Sequence, residues 1–178
     1  MSGDGGGGAS LGRFLPDGGV DGEPSTTVDV HLVGMPVLVM RAAREHHDGL
    51  MREFRLLALS GGATDDDVPV RLADLTRILG DRYGTTRERR DAELDAAIAA
   101  GALTVDQVET VPVAAGAAAA GLAALLAEAD AYCRDAVLMT LPRPPLLQRF
   151  GDWYTRQFVD QTAGRPPVPW DGPLRAED

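Results

Sequence analysis

The chain contains no lysine, so all 17 of its basic residues are arginine. Against 27 acidic residues this leaves a formal net charge of −10. A chain without an excess of basic charge has no long-range attraction for phosphate groups. We therefore expect neither nucleic acid nor an anionic membrane surface among its partners. The preference for arginine, alanine and glycine is typical of a GC-rich genome.

Cysteine and long apolar runs are also scarce. Cys133 is the single cysteine, which excludes an intramolecular disulfide, and its apolar surroundings indicate a reduced, buried thiol. The alanine-rich stretch 114–127 comes closest to a membrane span, but Gly116 and Gly121 interrupt it. No signal peptide is recognisable at the start of the sequence. We expect a cytoplasmic protein that does not associate with a membrane.

Aromatic residues make up only 5% of the 178 residues, whereas hydrophobic residues make up 44%, much of it alanine. This composition favours helices over sheets. The length suits one domain. We predict a disordered, glycine-rich tail over 1–26, a single helical domain over 27–163 and a proline-rich tail over 164–178. Within that last tail, Trp170 is a candidate for folding back onto the helices.

The spacing of the apolar residues predicts a mainly α fold. Three- and four-residue steps indicate an approximately five-helix bundle. A short period-2 pattern near Val30 predicts a strand, and β-branched residues before Pro112 suggest a second strand that pairs with it, although Val105, Val108 and Val111 fit neither period cleanly. The predicted helices cover 36–59, 70–82, 87–100, 114–135 and 145–162, and the predicted strands cover 27–33 and 103–111.

The run Glu45-His46-His47-Asp48 is the strongest candidate for chemistry, because imidazoles and carboxylates are common metal ligands. Its spacing argues against a metal. Neighbouring residues on a helix point about 100° apart, so His46 and His47 cannot easily chelate one ion. We interpret His46 as a core or interface residue and His47 as a surface residue. A role in ligand binding, pH sensing or partner binding stays open for them.

The remaining candidates for chemistry have simpler structural explanations. Asp130 and Asp135 flank Cys133 and would raise its pKa, which is the opposite of what a reactive thiol requires. The glycines of 5–8 lack the Lys-Ser/Thr of a phosphate-binding loop, and the aspartates of 65–67 lack the spacing of a calcium loop. We predict no catalytic residue, no metal site and no cofactor.

The helix predicted over 145–162 carries most of the aromatic residues. Phe150, Trp153, Tyr154 and Phe158 recur at helical spacing, which makes a core face the default interpretation. A partner-binding face or the wall of a ligand pocket is the alternative, because tryptophan and tyrosine are common at interfaces.

Five short motifs stand out along residues 27–170: Val33-Gly34-Met35-Pro36-Val37, Glu45-His46-His47-Asp48, Arg52-Glu53-Phe54, Trp153-Tyr154 and Pro166-Pro167-Val168-Pro169-Trp170. Together they resemble a family of small, poorly characterised actinobacterial helical proteins. The resemblance implies a role near partner-switching regulators, which comprise anti-sigma kinases, their STAS-type antagonists and PP2C-type phosphatases. It implies contact with another protein and assigns no functional residue.

These observations predict a non-enzymatic regulatory or adaptor protein that contacts an anti-sigma or STAS-type partner, in sigma-factor or stress signalling, with homodimerisation as a further option. The alternative is a ligand- or metal-binding sensor that uses the cluster of His46, His47 and Asp48. An enzyme ranks third, because no reaction can be written for these residues. The candidate partner or ligand site comprises His46, His47, Asp48, Phe54, Trp153 and Tyr154.

Overall fold

The computed structural model describes residues 26–59, 74, 91–135 and 142–175. Within them the protein is mainly α, as predicted, and the two strands pair in an antiparallel sheet. The elements, in chain order, are β1 (Thr27–Pro36), α1 (Val37–Leu59), α2 (91–99), β2 (Thr104–Pro112), α3 (Ala115–Asp135) and α4 (Pro145–Thr162).

The prediction of a five-helix bundle is wrong. The described residues form four helices, and the helix predicted over 70–82 lies outside them except for residue 74. The sheet is also part of the core, because Val30, Leu32 and Met35 are completely buried. The helices therefore pack against a β-ribbon as well as against each other. The glycine-rich tail predicted over 1–26 lies, apart from residue 26, outside the described residues.

The two strands pair over almost their whole length, as expected from the pattern near Val30. Val30 lies opposite Glu109 and Leu32 opposite Gln107. Since successive side chains of a strand point to opposite faces, these four side chains share one face of the ribbon. All four are buried. β1 thus supplies apolar side chains to this inner face, whereas β2 supplies mostly polar ones.

A bulge bends β1 shortly before α1 begins. Leu32 pairs with Gln107, but Met35 pairs with Val105, so β1 contains one residue more than β2 between these pairs. Gly34 occupies the bulge with a φ of 69°, a left-handed conformation that glycine adopts without steric cost. The bulge places Met35 back on the buried side, directly ahead of the helix.

Helix α4 is the centre of the helical layer, because it contacts β1, α1 and α3. Phe150 of α4 is buried in the main apolar cluster, together with Leu147 of the same helix. α3 approaches α4 closely at Gly116, where an added Cβ would lie 2.1 Å from Thr162 Oγ1. A side chain at this position would force the two helices apart.

The chain after α4 folds back along the outer edge of β1. The backbone N–H of Trp170 donates to Val33 O at 3.0 Å, and the Trp170 side chain is buried in the same apolar cluster. The side chain of Gln161 covers the neighbouring position, since it accepts from the N–H of His31 at 2.8 Å and donates to His31 O at 2.9 Å. The edge of β1 is therefore covered without a third strand.

Candidate functional site

His46 lies on α1, half-buried, in the electrostatic neighbourhood of Asp130 and Arg143. Its Nε2 atom is buried and makes no hydrogen bond within the described part of the chain. Burial lowers the pKa of His46 below its ordinary value, Asp130 acts in the opposite direction, and Arg143 lowers the pKa further. His46 is therefore held mainly as a neutral imidazole at neutral pH.

The rest of the predicted histidine cluster does not join His46 at one point. His47 is half-buried and Asp48 is exposed, and both have interaction partners of their own. Among the described residues no group of three or more histidine, cysteine or acidic side chains is placed to hold a metal ion. Of Phe54, the structure describes the backbone within α1 and not the side chain.

A buried ion pair between Asp130 of α3 and Arg143 lies next to His46. Arg143 donates through its backbone N–H at 2.9 Å, through Nε at 3.0 Å and through a terminal guanidinium nitrogen at 2.8 Å. The two side chains are only 9% and 11% exposed. Such a pair, with its hydrogen bonds satisfied, joins the end of α3 to the segment that begins α4. No local sequence motif marks this pair, because 13 positions separate the two residues.

Cys133 follows Asp130 by one turn of α3 and is buried. Burial raises the pKa of its thiol, and the carboxylates of Asp130 and Glu53 raise it further, while Arg134 opposes them. The thiolate form that reacts with electrophiles is therefore disfavoured at neutral pH.

Trp153 and Tyr154 pack against the core rather than standing free on a surface. The ring of Trp153 meets that of Trp170 edge to face, with 5.5 Å between centroids, and its Nε1–H donates to Val168 O at 2.8 Å. Tyr154 lies 6.0 Å from Phe150 in the same cluster. Trp153 thus holds the C-terminal segment against α4, and Tyr154 joins the aromatic cluster beside it.

The outer edge of β2 is the clearest unpaired backbone in the described part of the chain. The backbone groups of His31 bond to Gln161, so they point away from β2, and the opposite residue Val108 must likewise point its N–H and C=O away from β1. By the same alternation, Asp106 and Thr110 point outward as well. No hydrogen bond to these outward backbone groups is present among the described residues.

Apolar side chains flank this open edge. Val108 is 47% exposed at the middle of β2, and Leu103 and Val113, just beyond its two ends, are 45% and 44% exposed. They are three of the five large apolar side chains that are strongly exposed among the described residues. Natural proteins usually protect an edge strand with charge, proline or a bulge. β2 has Asp106 near one end and Pro112 at the other, but no such protection at its centre.

The comparisons with known proteins identify no relative. Scans against family models, curated proteins and solved structures each give no match for the chain. No helix in the described residues is both long and apolar enough to cross a membrane.

Sequence reasoning missed the open edge, although the sequence contained a signal for it. Val105, Val108 and Val111 did not fit a period of two. The structure explains why: Val111 is buried on the inner face of the ribbon, whereas Val108 lies on the outer face among exposed residues. The apolar residue that disturbs the alternation is the one that marks the candidate surface.

Proposed function

We propose that this protein is a regulatory or adaptor protein that acts through protein–protein contact, with the open edge of β2 as its contact surface. The observation that carries the proposal is that the outer edges of β1 and β2 differ in their backbone hydrogen bonding. β1 is covered by Gln161 and Trp170, while none of the described residues bonds to the outward N–H and C=O groups of β2, which lie beside an exposed Val108. Such an edge accepts an extended segment by adding a strand.

The chemistry of the edge suits a polypeptide better than a small ligand. Strand addition derives its affinity from main-chain hydrogen bonds and its selectivity from alternate side chains. The exposed Leu103, Val108 and Val113 supply the apolar contacts that such a segment would bury. The resemblance to proteins near partner-switching regulators is compatible with a protein partner, and we propose signalling of this kind as the setting.

Catalysis is the weaker explanation of the same residues. The carboxylate of Asp130 and the donor groups of Arg143 already satisfy each other through their buried ion pair. The raised pKa of Cys133 makes its thiol a poor nucleophile at neutral pH.

Photo-crosslinking from the edge tests the proposal. A photoreactive amino acid is introduced at Val108 and, as a matched control, at Arg156, an exposed position of α4. Expressed in its native host, the chain labelled at 108 should form an adduct with a polypeptide, and the chain labelled at 156 should not. Equal or absent adducts at the two positions would contradict the proposal.

A second candidate function is a pH-dependent sensor centred on His46, and a specific observation favours it. The buried, unbonded Nε2 of His46 lies in the neighbourhood of the Asp130–Arg143 pair, so protonation would place a third charge there. If this function is correct, acidification from pH 7.5 to 5.5 should change crosslinking at position 108, and His46→Gln should abolish the change. Identical crosslinking at both pH values would exclude it.

A further inference from the structure

We infer that the occupant of the open edge is a second copy of this chain, whose β2 pairs antiparallel with the first across a two-fold axis at Val108. The inference rests on the proposed function in so far as that proposal identifies the edge as the contact surface. The result would be a continuous four-stranded sheet, in the order β1, β2, partner β2, partner β1. This is an isologous contact, in which each residue meets its counterpart in a closed pair.

The position of Val108 allows β2 to pair with itself in full register. Val108 is the central residue of β2, which runs from Thr104 to Pro112. With the axis at Val108, residue 106 of one copy lies opposite residue 110 of the other, and residue 104 lies opposite residue 112. No part of the strand is left without a partner.

The backbone groups that this register needs are the ones that point outward. Asp106, Val108 and Thr110 all direct N–H and C=O away from β1. In the antiparallel pair they would exchange about six backbone hydrogen bonds with the second copy. Pro112 lacks an N–H, but it lies at the end of the strand, where its loss does not interrupt the central bonds.

The exposed apolar side chains are arranged symmetrically about the same axis. Leu103 and Val113 are each five positions from Val108, so the register places Leu103 of one copy opposite Val113 of the other. All three side chains are close to half-exposed in the single chain. Successive side chains of a strand alternate between its two faces, so the pairing would bring Val108 against its counterpart on the outer face and Leu103 against Val113 on the opposite face.

The charges of the edge favour this register over a neighbouring one. Asp106 would lie opposite the neutral Thr110, so no two like charges face each other across the pair. An axis at Asp106 would instead place two carboxylates directly opposite, which destabilises paired strands. Each chain has a net charge of −10, so the two copies repel at long range and association should strengthen with added salt.

Sedimentation equilibrium of the purified full chain in 0.3 M salt is the first measurement. We expect a reversible dimer that weakens at least several-fold at 0.02 M salt. Val108→Lys should yield a monomer, because two ammonium groups would meet at the axis, whereas His31→Lys should still dimerise. His31 is exposed on the covered strand opposite Val108, so it provides the same substitution one strand away from the edge.

A charge-pairing experiment keeps the inference testable if a substitution harms folding. Val108→Lys and Val108→Glu should each be monomeric, and an equimolar mixture should form a one-to-one dimer. In the wild-type dimer the amides of Val108 and Thr110 should exchange hydrogen slowly, and in Val108→Lys they should exchange quickly. The amide of Glu109, which pairs with Val30, should stay protected in both.

Three outcomes would overturn the inference: a wild-type monomer at all salt concentrations, a Val108→Lys variant that dimerises like the wild type, or no association in the mixture. Failure of the inference can be distinguished from failure of the proposed function. A monomeric chain whose photoreactive residue at 108 captures a different polypeptide contradicts the second copy and supports the proposed function. A monomer without any adduct contradicts both.

Discussion

Removing the carboxylate of Asp130 should destabilise the fold far more than removing that of an exposed aspartate. Asp130→Ala leaves the guanidinium of Arg143, 11% exposed, without its counter-ion, and it removes the acceptor of three donor groups of Arg143. Breaking a buried pair in this way costs about 3–5 kcal/mol. Because a domain of this size is stable by about 5–15 kcal/mol, the loss is a large part of the total.

Urea denaturation at pH 7, followed by far-UV circular dichroism, measures this cost. Asp171→Ala is the matched control, because Asp171 also pairs with an arginine at 2.8 Å but its side chain is 84% exposed. The control should lose less than about 1 kcal/mol. The cost of Asp130→Ala should change little between 0.05 and 0.5 M salt, since a buried pair is weakly screened.

A double-mutant cycle with Arg143→Ala separates the pair from its surroundings. The double variant should be more stable than the sum of the two single changes predicts, by about 2–3 kcal/mol, because it leaves no unpaired charge in the interior. Additive single changes, or a cost for Asp130→Ala within about 1 kcal/mol of that for Asp171→Ala, would refute the reasoning.

Three further predictions concern the ribbon and its neighbours. Gln161→Leu should cost about 2–3 kcal/mol and speed hydrogen exchange of the His31 amide, because the substitution leaves the N–H and C=O of His31 unpaired; unchanged exchange would contradict it. Trp170→Ala should cost about 3–5 kcal/mol in urea denaturation, whereas Trp170→Phe should cost less, since Trp170 is 9% exposed within the apolar cluster. The pKa of His46 is lowered in the folded state, so the unfolded state binds the proton first as the pH falls, and the free energy of unfolding should decrease below about pH 6.5. His46→Gln should remove this part of the pH dependence. An NMR titration that gives His46 a pKa above 6.5 would contradict the predicted direction.

The positions of the helices could be predicted well because apolar residues recur at helical spacing along the buried face of each one. The helix predicted over 145–162 is observed over the same residues, and that over 114–135 begins one residue later. Proline at the start of α4 and glycine shortly after its end act locally, so no tertiary information was needed.

The assembly of these helices could not be predicted in the same way. A bundle was expected because the apolar residues recur at three- and four-residue steps, while the pattern of β2 was irregular. The irregularity arises because β2 presents Gln107 and Glu109 to the interior, and their burial depends on groups distant in the chain. Gln107, for example, donates to Glu93 of α2. A sequence pattern that counts only apolar residues cannot identify a polar inner face.

At the candidate site, too, the sequence predicted some features and only the structure shows the others. The sequence placed His46 on the apolar side of its helix, and the structure describes it as half-buried with an enclosed Nε2. The sequence could not show that Asp130 and Arg143 surround His46, because this contact joins three separate segments of the chain. The aromatic residues of α4 were recognised, but only the path of the C-terminal segment shows what Trp153 contacts.

The amino-acid sequence by itself determined the acidic charge, the helical character and, to within one residue, the bounds of α3 and α4, because each depends on composition or on residues close together in the chain. The tertiary structure alone decided which strand edge is covered and which is open. Gln161 and Trp170 reach β1 across 130 or more positions of the chain, and nothing in the described residues does the same for β2. That difference exists only when distant segments meet.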